Sequence, residues 1–404
     1  MKNIPFSPPD MTEAEIIEVC EALRSGWITT GPRTKEFEHL IAMCCQTSKA
    51  VCLNSATACM ELILRVLGVG PGDEVIVPSY TYTATASVVC HVGAKVVMVD
   101  TLSGSFEMDY DKLSEVITER TKVVIPVDLG GVVCDYDRIF SSVESKKSLY
   151  SPANDIQKAF GRVVVLADAA HAFGAKRHGK MCGEIADFTS FSFHAVKNLT
   201  TAEGGAIMLN LPEPFDNEEV YRYLCTYTLH GQNKDALAKT KKGAWRYDVL
   251  VSGFKGNMTD IMASIGLVEL SRYEDDTLHY RKCIYDQYTD AFSRYGWAEL
   301  PIYETEDRKS SYHVYCLRVK GITEQQRDEI IQRIFDKDVS VNVHFQPLPL
   351  LSAFKNKGYK IEDYPVAYDN YCREISLPVW YGLSEEMVKT VIDAVICSVE
   401  EVLA

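Results

Sequence analysis

Two side chains in this chain have the types needed for covalent cofactor chemistry. Asp168 closes the apolar run Val163-Val164-Val165-Leu166-Ala167, with His171 three residues on. Lys197 lies in Ser192-Phe193-His194-Ala195-Val196-Lys197-Asn198-Leu199-Thr200-Thr201-Ala202-Glu203-Gly204-Gly205, which follows a strand-like stretch. A lysine amine can form a Schiff base with an aldehyde. A carboxylate beyond the end of a buried strand can hold a pyridinium nitrogen protonated, so that the ring accepts electrons. Together they are what pyridoxal phosphate chemistry needs. A solvated surface lysine is the plainer alternative, but the tight polar turn marked by Thr200-Thr201 and Gly204-Gly205 inside apolar sequence argues against it.

Other residues could complete such a site. Asn54-Ser55-Ala56-Thr57-Ala58 joins a short strand to a helix, and a helix N-terminus offers free amides to a phosphate. Thr57 and Ser192 can each add a hydroxyl; simple N-capping by Ser55 or Thr57 is the alternative reading. Tyr82 follows the strand ending at Pro78 and could stack on a flat ring, or pack in the core. His171 could hydrogen-bond a phenolic oxygen, or serve as a satisfied structural histidine.

The elements that must position these residues alternate. A helix begins at Thr12, whose spacing to Glu15 matches a capping box; Ile16, Ile17, Cys20 and Leu23 recur at helical spacing, and Gly26 ends it. A second helix is expected around Lys35–Cys45. Strands are predicted at 50–53, 74–78, 95–100, 122–127 and 163–167, with helices at 58–67 and 84–91 between the first three. This alternation points to an α/β fold with a mostly parallel, doubly wound sheet. The polar stretch 141–158 reads as a surface insertion. Beyond residue 245 the pattern predicts a helix over 259–270, a long helix over 272–295, strands near 313–319 and 340–344, and a helix over 384–402. The expected organisation is a large cofactor-binding domain over 1–250 and a smaller C-terminal α/β domain over 251–404.

Bulk properties narrow the class. With 404 residues and 47% hydrophobic content the chain is an ordinary globular protein. No apolar stretch of membrane-spanning length and no secretory signal are evident. The thirteen scattered cysteines, an odd number without a C-x-x-C pair, suggest free thiols in a reducing cytoplasm and no zinc site. A net charge of −14 disfavours nucleic acid as a partner. The basic run Lys239–Arg246 stands out in so acidic a chain and could meet a nucleotide diphosphate, or be a solvated loop.

With these residues in view, the chain resembles the DegT-type sugar aminotransferases, pyridoxal phosphate enzymes with the aspartate aminotransferase (type I) fold. The ordered matches are Gly26–Pro32, Pro71–Pro78, Asp168–His171, Ser192–Gly205, Gly253–Leu267 and Ser376-Leu377-Pro378. The resemblance implies Lys197 as the Schiff-base lysine, Asp168 as the pyridinium partner, Tyr82 as the ring stacker and His171 beside the cofactor oxygen. It implies Ala56, Thr57 and Ser192 as phosphate positions. It further implies a homodimer with shared active sites, to which Lys255, Asn257 and His344 would contribute as substrate or partner-subunit residues. The expected reaction moves an amino group, from glutamate in most relatives, to a nucleotide-linked keto sugar, with a 4-keto-6-deoxy sugar favoured, in the cytoplasmic synthesis of cell-surface polysaccharide. Two other readings belong to the same scaffold. A sugar dehydratase would carry histidine where this chain has Lys197, and a non-catalytic cofactor-binding regulator would not need the full residue set.

Overall fold

In the computed structural model, which describes residues 3–234 and 246–404, the alternation read from the sequence becomes a seven-stranded sheet. Its strands are β1 (Lys49–Leu53), β2 (Glu74–Pro78), β3 (Lys95–Val99), β4 (Thr121–Val124), β5 (Val164–Asp168), β6 (Phe188–Ser192) and β7 (Gly205–Leu209). They lie side by side in the order β1-β7-β6-β5-β4-β2-β3. The pairings from β6 through β5, β4 and β2 to β3 are parallel, and β7 runs antiparallel to both its neighbours. Strand β5 is buried along its length, and its side chains alternate between two cores. Val163, Val165 and Ala167 join one cluster; Val164 and Leu166 join the other. A strand buried on both faces reads in sequence as the unbroken apolar run seen here.

Four helices precede β3, and their starts are set in different ways. Helix α1 (Glu13–Ser25) has the full capping box between Thr12 and Glu15, and Gly26 ends it at φ 80°. Helix α2 (Pro32–Cys44) starts on proline, and α3 (Ala56–Val66) is capped by Ser55, whose hydroxyl accepts from the Ala58 N–H at 3.1 Å. Helix α4 (Thr83–His91) follows Tyr82. The stretch 141–158 carries the end of the Tyr136–Ser145 helix and part of the Asp155–Phe160 helix, within the crossover that returns the chain to β5. Parallel neighbours require such a crossover.

The C-terminal part is built on a three-stranded antiparallel sheet of Ala298–Glu299, Tyr315–Val319 and Glu374–Leu377, with the Leu278–Phe292, Glu324–Phe335, Pro365–Arg373 and Glu385–Leu403 helices. Two expectations are corrected here. The long helix over 272–295 is interrupted at Tyr273–Thr277 by a wide turn with N–H to C=O bonds five residues apart, and the α-helix proper begins at Leu278. The strand at 340–344 does not form: the Ser340 N–H bonds Ile4 O at 3.0 Å, Asn342 bridges Ser376, and the segment then turns away toward the site. Of the basic run, all but Arg246 lies outside the described residues.

Candidate active site

A cavity of about 360 Å³ opens beyond the C-terminal end of β5, where ligands bind in open α/β sheets. Lys197, Asp168, His171, Ser192, Ala56, Thr57, Tyr82 and His344 all line it. Lys255 and Asn257 do not. They bond to each other, Lys255 exposed and Asn257 half-buried, on a stretch running beside Asn54, whose N–H donates to Gly256 O at 2.8 Å. His344, expected at an interface, belongs to the chain's own cavity.

Each wall has a local origin. Asp168 ends β5, and its Oδ2 accepts the Thr85 hydroxyl at 2.7 Å while Oδ1 takes the Ala170 N–H at 3.3 Å. Burial pushes its carboxyl up, opposed by these bonds and by Lys197 nearby. Lys197 follows β6, its N–H bonded to His194 O at 2.9 Å. Burial of its amine outweighs the attraction of Asp168 and lowers the pKa to about 8, so a neutral, nucleophilic amine is accessible near physiological pH.

The β6–β7 pair brings Ser192 to the start of α3. Ser192 stands opposite Gly205 in register, and Ser190 Oγ donates to Ala56 O at 3.2 Å. Glycine is required at 205, because a Cβ there would lie 2.5 Å from both Ala56 N and Ser55 C. The first-turn amides of Ala56 and Thr57 have no acceptor within their own helix, as at any helix start. With Ser192 they form a small donor-rich corner.

Three histidines crowd the opposite wall. His171 accepts the Gly130 N–H on Nδ1 at 3.2 Å, so its ring proton sits on Nε2. His313, 4.2 Å away between ring centroids, has the opposite arrangement. Its Nδ1 lies 2.8 Å from Asn198 Oδ1, and the Asn198 amide nitrogen is committed to Ser311 O at 2.6 Å, so Nδ1 is the donor. Burial and neighbouring cations hold both rings well below the usual histidine range, and both are neutral. Tyr82, 58% exposed, stands on the rim 5.6 Å from the Phe345 ring. Thr85, Asn198, His313 and Phe345 carry no sequence signal of their own. Thr85, at the start of the helix after Tyr82, Asn198, inside the lysine run, and Phe345, next to His344, lie close enough to recognised residues for proximity to have suggested them; His313 does not.

The donor set fits pyridoxal phosphate. A buried carboxylate with Lys197 as its charged neighbour would be eased by a ring cation, the donor-rich corner suits a phosphate, and a low-pKa amine lines the same cavity. The fold and this constellation together define a pyridoxal phosphate-dependent aminotransferase of fold type I. The family model described as the DegT/DnrJ/EryC1/StrS aminotransferase family matches residues 9–396, and the chain belongs to that family. The spore coat polysaccharide biosynthesis protein SpsC of Bacillus subtilis is 36% identical over 399 residues, 97% of this chain and 96% of SpsC. The UDP-4-amino-4-deoxy-L-arabinose–oxoglutarate aminotransferase of Shewanella sediminis is 32% identical over 412 residues, covering 97% of each. Spr1654 of Streptococcus pneumoniae, described as a sugar aminotransferase, superposes in its PMP form with a TM-score of 0.96 at 53% identity, covering 99% of this chain and 100% of that one. Its PLP form gives 0.95 at 51%, covering both chains fully.

Proposed function

We propose that this aminotransferase takes an amino group from glutamate and delivers it to a nucleotide-linked keto sugar, a 4-keto-6-deoxy sugar by preference, in the cytoplasmic synthesis of a surface polysaccharide. The observation that carries the reading is the convergence of Lys197, Asp168 and the α3 amides on one cavity. The names of the Bacillus and Shewanella relatives support the sugar and polysaccharide parts.

When bound, the cofactor supplies an electron sink for the substrate carbon. The chain's residues do the rest. Lys197 Nζ would anchor the cofactor and would hold or move the proton at the substrate carbon. Asp168, held by Thr85, would pair with the ring nitrogen. His171 would offer its Nε2–H to the ring oxygen. Ser192 Oγ and the Ala56 and Thr57 amides would take the phosphate, and Tyr82 would cover the ring face. His344 meets the substrate. Lys255 and Asn257 reach the cavity of a second copy in a homodimer; the exposure of Lys255 beside Val249, Leu250 and Phe254, all exposed apolar residues, supports this.

The test is spectroscopic. The cofactor-loaded protein should show a visible band that glutamate bleaches and one nucleotide-linked keto sugar restores. Lys197→Ala should lose the band and slow transfer by about a thousandfold or more. A band indifferent to glutamate would reject the donor, and no band after added cofactor would reject the assignment of Lys197.

A further inference from the structure

His344 is held from both ends by one strand of the C-terminal sheet. Its backbone N–H donates to Glu374 Oε2 at 3.0 Å, its Nδ1 lies 2.9 Å from Ser376 Oγ, and Ser376 Oγ in turn bonds Glu374 Oε1. Glu374 and Ser376 are two apart on Glu374–Leu377, so both point to the same face. The Tyr80 hydroxyl donates to His344 O at 3.0 Å, and the Phe6 ring stacks on the imidazole at 5.6 Å and 18°. The ring is thus fixed, with Nε2 left over on a residue that lines the cavity.

Glu374 is fully buried, and among the described residues it makes no ion pair. Arg327, the nearby cation, donates to the Glu374 backbone carbonyl at 3.3 Å. Burial pushes the carboxyl up to about 8, so it changes charge within the working range of pH. The charged and titratable groups facing it are Arg327, Cys316, Tyr80 and Arg318, which stands directly opposite on Tyr315–Val319; those facing the imidazole are Lys197, His171 and His313. Burial and Lys197 hold the imidazole down to about 4, so it is neutral throughout.

The hydrogen-bond inventory then permits two states. A protonated Glu374 donates to Ser376, Ser376 donates to Nδ1, and the ring proton sits on Nε2. An ionised Glu374 can only accept: Ser376 donates to it, Nδ1–H donates to Ser376, and Nε2 presents a lone pair. We infer that Glu374 and Ser376 are positioning residues that set the tautomer of His344, and so whether it gives or takes a hydrogen bond with a neutral polar group of the substrate, such as a sugar hydroxyl. This rests on the cavity being the site of amino transfer.

The experiment uses cofactor-loaded enzyme with ring-15N-labelled histidine, the His344 signals being assigned by their loss in His344→Asn. In the wild type the ring proton should pass from Nε2 to Nδ1 as pH rises through about 8. Glu374→Gln keeps the shape: its amide oxygen still accepts the His344 N–H and its amide nitrogen donates to Ser376. It should hold the low-pH tautomer at every pH and remove the matching ionisation from the KM of the amino acceptor, leaving the pH profile of kcat. Ser376→Ala should uncouple the ring from Glu374 and raise that KM about fivefold, the equivalent of one hydrogen bond, with Ser376→Thr restoring it. A wild-type tautomer that ignores pH, or a Glu374→Gln variant that titrates like wild type, overturns the inference. If no keto sugar is aminated, the reading of the site fails, while the 15N result still decides the relay.

Discussion

Burial gives Lys197 two measurable properties. With its pKa lowered to about 8, the free amine fraction at neutral pH is far larger than for an exposed lysine, so the rate at which cofactor-free protein captures pyridoxal phosphate should rise with pH to a midpoint near 8, read by stopped-flow absorbance. The stability consequence has the opposite sign from that of a paired lysine. Between pH 8 and 10.5 the unfolded chain holds a proton that the folded amine has shed, so the cofactor-free protein should gain stability as pH rises through that window. Lys197→Met, without a titrating amine, should lose that gain in chemical denaturation. Thr85 makes a second test. Thr85→Val removes the hydroxyl that holds Asp168 Oδ2, and the cofactor should bind several-fold more weakly, the equivalent of about 1 kcal/mol, by absorbance titration. That Asp168 and Lys197 would meet was legible, because one closes an apolar run and the other sits in a tight polar turn inside apolar sequence, and both line one cavity. Thr85, His313 and Asn198 were not. A threonine inside a helix or a histidine before a strand looks like any other until the chain folds it against a distant neighbour, as Thr85 meets Asp168 across 83 residues and His313 meets Asn198 across 115.

The elements that carry the site depend on close approaches that only small residues allow. Gly205→Ala would drive a Cβ to 2.5 Å from Ala56 N, and backbone cannot swing aside as a side chain can. The start of α3 should move, with a loss of about 1–3 kcal/mol of stability and weaker cofactor binding, seen together in thermal unfolding and in the cofactor titration. The buried parallel strands were legible, because a short unbroken β-branched run suits a strand covered on both faces better than any solvent-facing element. The 74–78 strand matches the expected bounds, and the 163–167 strand is shifted by one residue. Strand β7 was hidden behind Gly204-Gly205, which read as a turn, although its five residues pair with both β1 and β6. The caps divide in the same way. Thr12 and Glu15 announced α1 because their cap is local. Helix α2 has no such announcement: Asp260 supplies its cap, accepting from Gly31 N at 2.7 Å and Thr34 N at 3.0 Å across 229 and 226 residues. The strand expected at 340–344 failed for a related reason. Its alternating apolar residues suit a sheet, but one bond from Ser340 to Ile4 and one bridge at Asn342 are all the pairing it finds before the chain turns His344 into the cavity.

At the scale of the molecule, the helical stripe of Ile16, Ile17 and Leu23 is a correct signal of α1 that nevertheless faces outward. Periodicity reports that one face of a helix is apolar, not which molecule covers it. The buried face of α1 instead holds Glu15 and Ala22, Glu15 lying 3.3 Å from Arg272. Exposed apolar residues recur at Val249 and Leu250, beside the stretch that ends in Lys255 and Asn257. Exposed large apolar residues in such numbers mark an interface, and a second copy of the chain is its proposed occupant. A charge of −14 on each copy opposes association, so the attraction has to come from apolar area. It follows that raising the ionic strength should strengthen the dimer by screening that repulsion. Leu250→Asp and Ile17→Asp should each shift sedimentation toward the monomer while leaving far-ultraviolet circular dichroism unchanged. If Lys255 and Asn257 complete a neighbour's cavity, transfer should fall in step with dimer content as the protein is diluted, and mixing Lys197→Ala chains with Lys255→Ala, Asn257→Ala chains should restore a fraction of the activity, because one of the two shared cavities then has both its lysine and its partner residues intact. Full activity in a Leu250→Asp monomer would mean that each chain works alone.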